Sequence, residues 1–96
     1  MRLLDFYGQE CPHCLRMMPL LEKASAETDV DIEKIEVWHN QANAEKMEEF
    51  HGEIVQACGG AYGVPALVEP ESRQVLCGEV PYQALHTWIE KVKESA

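Results

Sequence analysis

The chain is 96 residues long, 46% hydrophobic and 26% charged, with a formal charge of −9 at neutral pH. That size suits one domain over residues 1–96, and the composition is that of an ordinary globular protein. The negative charge excludes nucleic acid and anionic membrane surfaces as partners, and no apolar run approaches the roughly 20 residues of a membrane helix.

Leu3-Leu4-Asp5-Phe6-Tyr7 is a short apolar run with aromatic residues, the pattern of a buried strand. Gly8, Gln9 and Glu10 end it, and Cys11-Pro12-His13-Cys14 follows. Pro12 suits the first turn of a helix, where a missing N–H costs nothing. The helix is expected from Pro12 to Ala26, with Leu15, Met18, Leu20 and Leu21 as its apolar stripe and Arg16, Glu22 and Lys23 outward. Pro19 should bend it. Met17 and Met18 read as helix filler.

Val30 to Trp38 alternates well enough for a second strand. Asn40 to Asn43 is polar, with Asn43 the expected cap of a helix from Ala44 to about Val55, carrying Met47, Phe50 and Ile54 on one side. Cys58 to Gly63 is a glycine-rich loop. Val64 to Val68 and Gln74 to Cys77 read as strands around a turn at Glu69–Ser72. After Pro81 a last helix carries Leu85, Trp88, Ile89 and Val92 at core spacing. The order βαβαββα implies a parallel pair joined by a right-handed crossover, then a hairpin. The expected fold is α/β, a four-stranded mixed sheet with helices on both faces.

The CxxC at a strand-to-helix junction reads as a redox dithiol. Three-residue spacing on one turn puts both sulfurs on one face, close enough to bond. The helix N-terminus favours a thiolate at Cys11, which is expected to be the more exposed sulfur and the nucleophile. Cys14, inside the first turn, is the expected resolving thiol. A protonated His13 would add positive charge beside Cys11 and lower its pKa, while Glu10 would oppose that.

The chain resembles the thioredoxin family, from about Leu3 to about Val92. An acidic residue six positions before the first cysteine is matched by Asp5, and a helix-kinking proline five positions after the second by Pro19. A Val-Pro pair opening a later strand is matched by Gly63-Val64-Pro65-Ala66-Leu67-Val68, and the glycine after the next strand by Gly78. Two departures stand out: Glu10 replaces the usual tryptophan, and Pro-His replaces Gly-Pro between the cysteines. Pro-His is similar to the oxidising enzymes of the bacterial periplasm, and the short start is similar to glutaredoxins.

The resemblance implies a minimal thioredoxin fold lacking the first strand and helix, and a thiol–disulfide oxidoreductase acting on protein disulfides. It implies a potential less reducing than thioredoxin's. Asp5 would be a buried carboxyl of raised pKa that takes the proton from Cys14, the alternative being an edge-strand aspartate facing water. Pro65 would be cis, with Val64 offering its backbone to substrate. Tyr7, Pro12, Val64, Gly78 and Cys77 would border the docking surface. Lys34 would lie near the buried acid or simply be solvated.

Cys58 and Cys77 read as small buried hydrophobes, with Cys58 alternatively a second redox thiol. His39, His51 and His86 have no partner spacing and read as surface residues. A dithiol reductase or glutathione would supply electrons, and no cofactor or metal is expected. One alternative is a glutaredoxin-like enzyme using glutathione, which Cys77-Gly78-Glu79-Val80 fits poorly. Another is a zinc or iron–sulfur module needing Cys58 or Cys77 as further ligands, or a dimer. Met1-Arg2-Leu3 runs straight into the first strand, so no leader is expected. A monomer in the cytoplasm is the default, consistent with this cysteine usage.

Overall fold

Arg2–Tyr7 form strand β1, in which Leu3, Leu4, Asp5 and Phe6 are all buried. A strand buried on both faces belongs in the middle of a sheet. The structure, a computed structural model describing residues 1–95, places it there. Helix α1 (Pro12–Thr28) leads to strand β2 (Asp31–Glu36), then helices α2 (Gln41–Glu48) and α3 (His51–Ala57). Strands β3 (Ala66–Glu69) and β4 (Gln74–Cys77) and helix α4 (Tyr82–Ser95) complete the chain.

The sheet order is β2-β1-β3-β4. β1 and β2 run parallel from Arg2↔Asp31 to Tyr7↔Glu36, β3 is antiparallel to β1, and β3–β4 is the expected hairpin. Side-chain alternation separates two cores. Leu3 and Leu67 pack with Met17, Leu21 and Ala24 of α1 and Leu85 and Ile89 of α4. On the opposite face Leu4, Phe6, Ile35 and Val68 pack with Met47, Phe50 and Ile54. This is the four-stranded mixed sheet of a minimal thioredoxin fold, with helices on both faces.

Three local expectations are corrected. The buried positions of α1 are Cys14, Met17, Leu21, Ala24 and Thr28, whereas Leu15 is 51% exposed. Apolar residues crowd nearly every side of that helix around Pro19, so its true face is marked by the small Cys14 and Ala24. The single helix expected from Ala44 is two short ones, because Phe50 leaves helical geometry (φ −111°, ψ 19°) and its ring enters the core 6.1 Å from that of Phe6. The cap of α2 is Asn40, whose side-chain oxygen accepts the Asn43 N–H at 3.0 Å. Asn43 instead donates through Nδ2 to the Glu36 carbonyl at 2.9 Å.

Candidate active site

Cys11 caps α1 from extended backbone (φ −79°, ψ 113°), Pro12 occupies the first turn, and the Cys11 sulfur accepts the Cys14 N–H at 3.2 Å. The Cys11 N–H donates to the Gly8 carbonyl at 3.0 Å, which folds the connecting loop back under the cysteine. The dithiol thus sits among the unpaired N–H groups of a helix start. Both cysteines are free, and both are buried: Cys11 is 3% exposed and Cys14 1%. The expected contrast in exposure is therefore small. Burial pushes the Cys14 thiol up to about 12, helped by its hydrogen bond with Cys11 and the charge of Asp5, against a backbone hydrogen bond from Gly8.

Asp5 lies one strand layer below, 2% exposed on the α1 side of the sheet. The edge-strand alternative fails because β1 is central. Burial raises the Asp5 carboxyl to about 6, against the attraction of Lys34, its register partner on β2. The Lys34 ammonium itself is partly exposed and lies 3.6 Å from Glu22. A cavity of about 10 Å³ lies between Asp5, Met17, Leu21, Pro65 and Gly78. That is about the volume needed for one water.

The Val64–Pro65 peptide is cis. The Pro65 carbonyl accepts the Gly78 N–H at 2.9 Å, so β4 ends beside the loop that precedes β3. Gly78 has φ 84°, a left-handed conformation that favours glycine. Pro65 is buried, while Tyr7, Val64, Cys77 and Gly78 are half-buried and Pro12 is exposed. A groove of about 410 Å³ adjoins Val64, walled by Trp38, Met47 and Tyr62 and edged by Glu45 and Glu48.

Charged residues bracket the dithiol in pairs from different elements. Glu10 holds the ring of His39, with its two oxygens 2.7 and 2.8 Å from Nε2, and this carboxylate raises the His39 pKa. Glu36 accepts the backbone N–H groups of Gln9 (2.9 Å), Trp38 (3.1 Å) and His39 (2.8 Å). Trp38 lies directly over Gly8, where a β-carbon would fall 2.2 Å from its ring. On the other side, His13 does not stand alone beside Cys11. Its Nδ1 is 2.8 Å from Glu79 Oε1, and Arg16 donates from Nε to both Glu79 oxygens at 3.0 and 2.9 Å. Arg16 and His13 together hold the Glu79 carboxyl down at about 2.

Cys58 and Cys77 form a disulfide that joins the end of α3 to the end of β4, correcting the reading of two free buried thiols. Their sulfurs are bonded to one another, and a metal site built on either would have to break that bond. His39 also acquires a partner, as does His51, which stacks on Tyr62 with ring centroids 4.4 Å apart. His86, half-buried, lies 6.0 Å from the Tyr82 ring. Sequence reading missed Trp38, Glu36 and Glu79, all of which reach the site across the fold. The even count of spare cysteines was the only available hint of the disulfide.

The Thioredoxin family model matches residues 1–51. The chain is similar to a mutant thioredoxin from Halobacterium salinarum NRC-1, with 31% identity over 94% of this chain and 72% of that one, TM-score 0.67. It is also similar to thioredoxin from Aeropyrum pernix, with 25% identity over 95% and 73% of the two chains, TM-score 0.65. A glutaredoxin from Archaeoglobus fulgidus shares the fold at 24% identity over 91% and 84%, TM-score 0.62. No curated protein matches the chain. A CxxC capping a helix, a buried carboxyl on the central strand, a Val-Pro loop beside them, and the match over more than half of the chain lead to one conclusion: this chain belongs to the thioredoxin family.

Proposed function

We propose that the protein is a thiol–disulfide oxidoreductase in which Cys11 exchanges with protein disulfides and Cys14 resolves the intermediate. The observation that carries this reading is the pairing of an N-capping cysteine with a buried partner thiol above Asp5. In the reductive direction the Cys11 thiolate attacks one sulfur of the target disulfide, the target S–S bond breaks, and one target thiolate leaves. Cys14 then loses its proton and attacks Cys11. The mixed disulfide breaks, a Cys11–Cys14 bond forms, and the second target sulfur leaves with the electron pair. Two electrons have passed from the protein to the target. The reverse sequence oxidises a target dithiol.

Cys14 needs a base for the second step, because burial raises its thiol far enough to keep it protonated at neutral pH. Asp5, with its carboxyl near 6, is ionised at neutral pH and supplies that base. Tyr7, Pro12, Val64, Pro65 and Gly78 border the face where the target docks, with the Val64 backbone available to an extended segment. A dithiol reductase or glutathione returns electrons to Cys11–Cys14. A site on Gly78–Glu79 specialised for glutathione gains no support, since Glu79 faces α1.

Incubating the Cys14→Ser variant with a protein disulfide and weighing the products tests the reading. A covalent adduct through Cys11, absent in Cys11→Ser, is the expected result; no adduct in Cys14→Ser, or an equal one through Cys14 in Cys11→Ser, overturns it.

A further inference from the structure

Glu79 stands outside the dithiol and its proton path, yet its carboxylate meets Arg16 and His13, two side chains of the catalytic helix. We infer that Glu79 is a positioning residue that sets how much positive charge reaches the Cys11 thiolate, and through it the redox equilibrium of the Cys11–Cys14 pair. The inference rests on the proposed oxidoreductase reading and names what regulates that site.

The geometry makes His13 a contested group. Its Nδ1 is 2.8 Å from Glu79 Oε1 and 3.1 Å from Arg16 Nη2. Arg16 can only donate, so its contact requires a bare Nδ1; Glu79 can only accept, so its contact requires Nδ1–H. Both cannot be satisfied at once. Arg16 favours the neutral ring with its lone pair at Nδ1, and Glu79 favours a ring that carries a proton there. Arg16 meanwhile spans both Glu79 oxygens, the bidentate geometry in which a guanidinium is held firmly.

Counting charges gives the consequence. With His13 neutral the trio sums to zero, and with His13 protonated it sums to +1. Without Glu79 the corresponding sums are +1 and +2. At a fixed protonation state of His13 the carboxylate therefore withdraws one unit of positive charge from the start of α1, and the proton it helps His13 to hold returns only part of that unit. His13 and Arg16 lie in the first turns of α1, the helix that Cys11 caps, so the withdrawn charge is removed from the end of the helix where the thiolate forms. Glu10, the exposed acid that directly precedes Cys11, is occupied by His39. All three side chains are partly exposed, so the effect is modest and screened by salt. A Pro-His dipeptide in this setting is less oxidising than the same dipeptide with an unpaired histidine.

The competing possibility is that the trio only fastens the turn after β4 to α1. That role would alter stability and leave the redox equilibrium where it is. The test equilibrates the full chain with reduced and oxidised glutathione: the disulfide plus two glutathione thiols gives the dithiol plus one glutathione disulfide. Glu79→Gln should shift this equilibrium toward the dithiol by about two- to fivefold. Arg16→Gln should shift it the other way by a similar factor, Glu79→Asp should stay near the parent, and high salt should shrink each shift. An unchanged equilibrium in folded Glu79→Gln, or a shift toward the disulfide, overturns the inference and leaves the oxidoreductase reading standing. If Cys11 and Cys14 form no reversible disulfide in any buffer, the oxidoreductase reading fails and the inference fails with it.

Discussion

Asp5 and Lys34 are direct register partners on adjacent parallel strands, yet the ammonium does not compensate the carboxylate. Asp5 is buried and Lys34 reaches out to Glu22, so desolvation wins and the carboxyl sits near 6 instead of 3.8. A raised carboxyl stabilises the fold fully below its unfolded value and loses that advantage as pH climbs through its folded value. Stability should therefore fall between about pH 4 and pH 6 by up to about 3 kcal/mol and then level off. Asp5→Asn should abolish that slope and be the more stable protein above pH 6, while resolving mixed disulfides more slowly. Denaturant melts across this range, paired with stopped-flow resolution rates, check both halves. A destabilised Asp5→Asn that resolves normally would make Asp5 a structural acceptor and remove it from the mechanism.

The two cysteines should differ in kind even though both are buried. At neutral pH Cys14, held near 12, is almost wholly protonated until Asp5 acts on it. Rapid-quench alkylation should modify Cys11 faster than Cys14 by at least tenfold, as only the thiolate reacts. Peptide mapping reads the ratio, and equal rates would mean that position on the helix does not separate their roles.

Trp38 over Gly8 links the loop after β2 to the loop that carries the dithiol. A side chain at position 8 must displace the indole, which is already 52% exposed and can swing away. Gly8→Ala should cost about 1 kcal/mol, at the low end of overpacking, and change the fluorescence contributed by Trp38. In a Trp88→Phe background that signal is isolated. An unchanged spectrum and melting point would mean that the indole does not rest on Gly8.

The Cys58–Cys77 bridge closes a loop across 19 positions that contains the Val64–Pro65 turn. Chain-entropy reasoning puts its stabilisation at about 3 kcal/mol. The Cys58→Ser/Cys77→Ser double variant should lose stability of that order while keeping Cys11–Cys14 exchange. Thiol titration of the denatured parent, after Cys11–Cys14 alone has been reduced and the reductant removed, should show two thiols. Four would rule out the bridge.

What the sequence determined by itself was mostly local. The family resemblance at Asp5 implied an acid beneath the dithiol, while a short apolar run marked β1 and Pro12 with the cysteine spacing marked the start of α1. These relations hold over a few residues, where backbone geometry dictates which side chains share a face. Tertiary structure decided the rest. Periodicity could not choose the buried face of α1, since apolar residues occupy several sides of it, and packing against Leu3 and Leu85 made that choice. Nor did any spacing rule pair Cys58 with Cys77, His39 with Glu10, or Glu79 with Arg16, which lie 63 positions apart. The paired charges lie on loops and on the start of α1, and the disulfide joins the ends of α3 and β4. Partners of this kind meet only once the strand order β2-β1-β3-β4 has brought their elements together. Strand order is set by which faces bury the most apolar surface across the whole chain, a sum that no short stretch of residues contains.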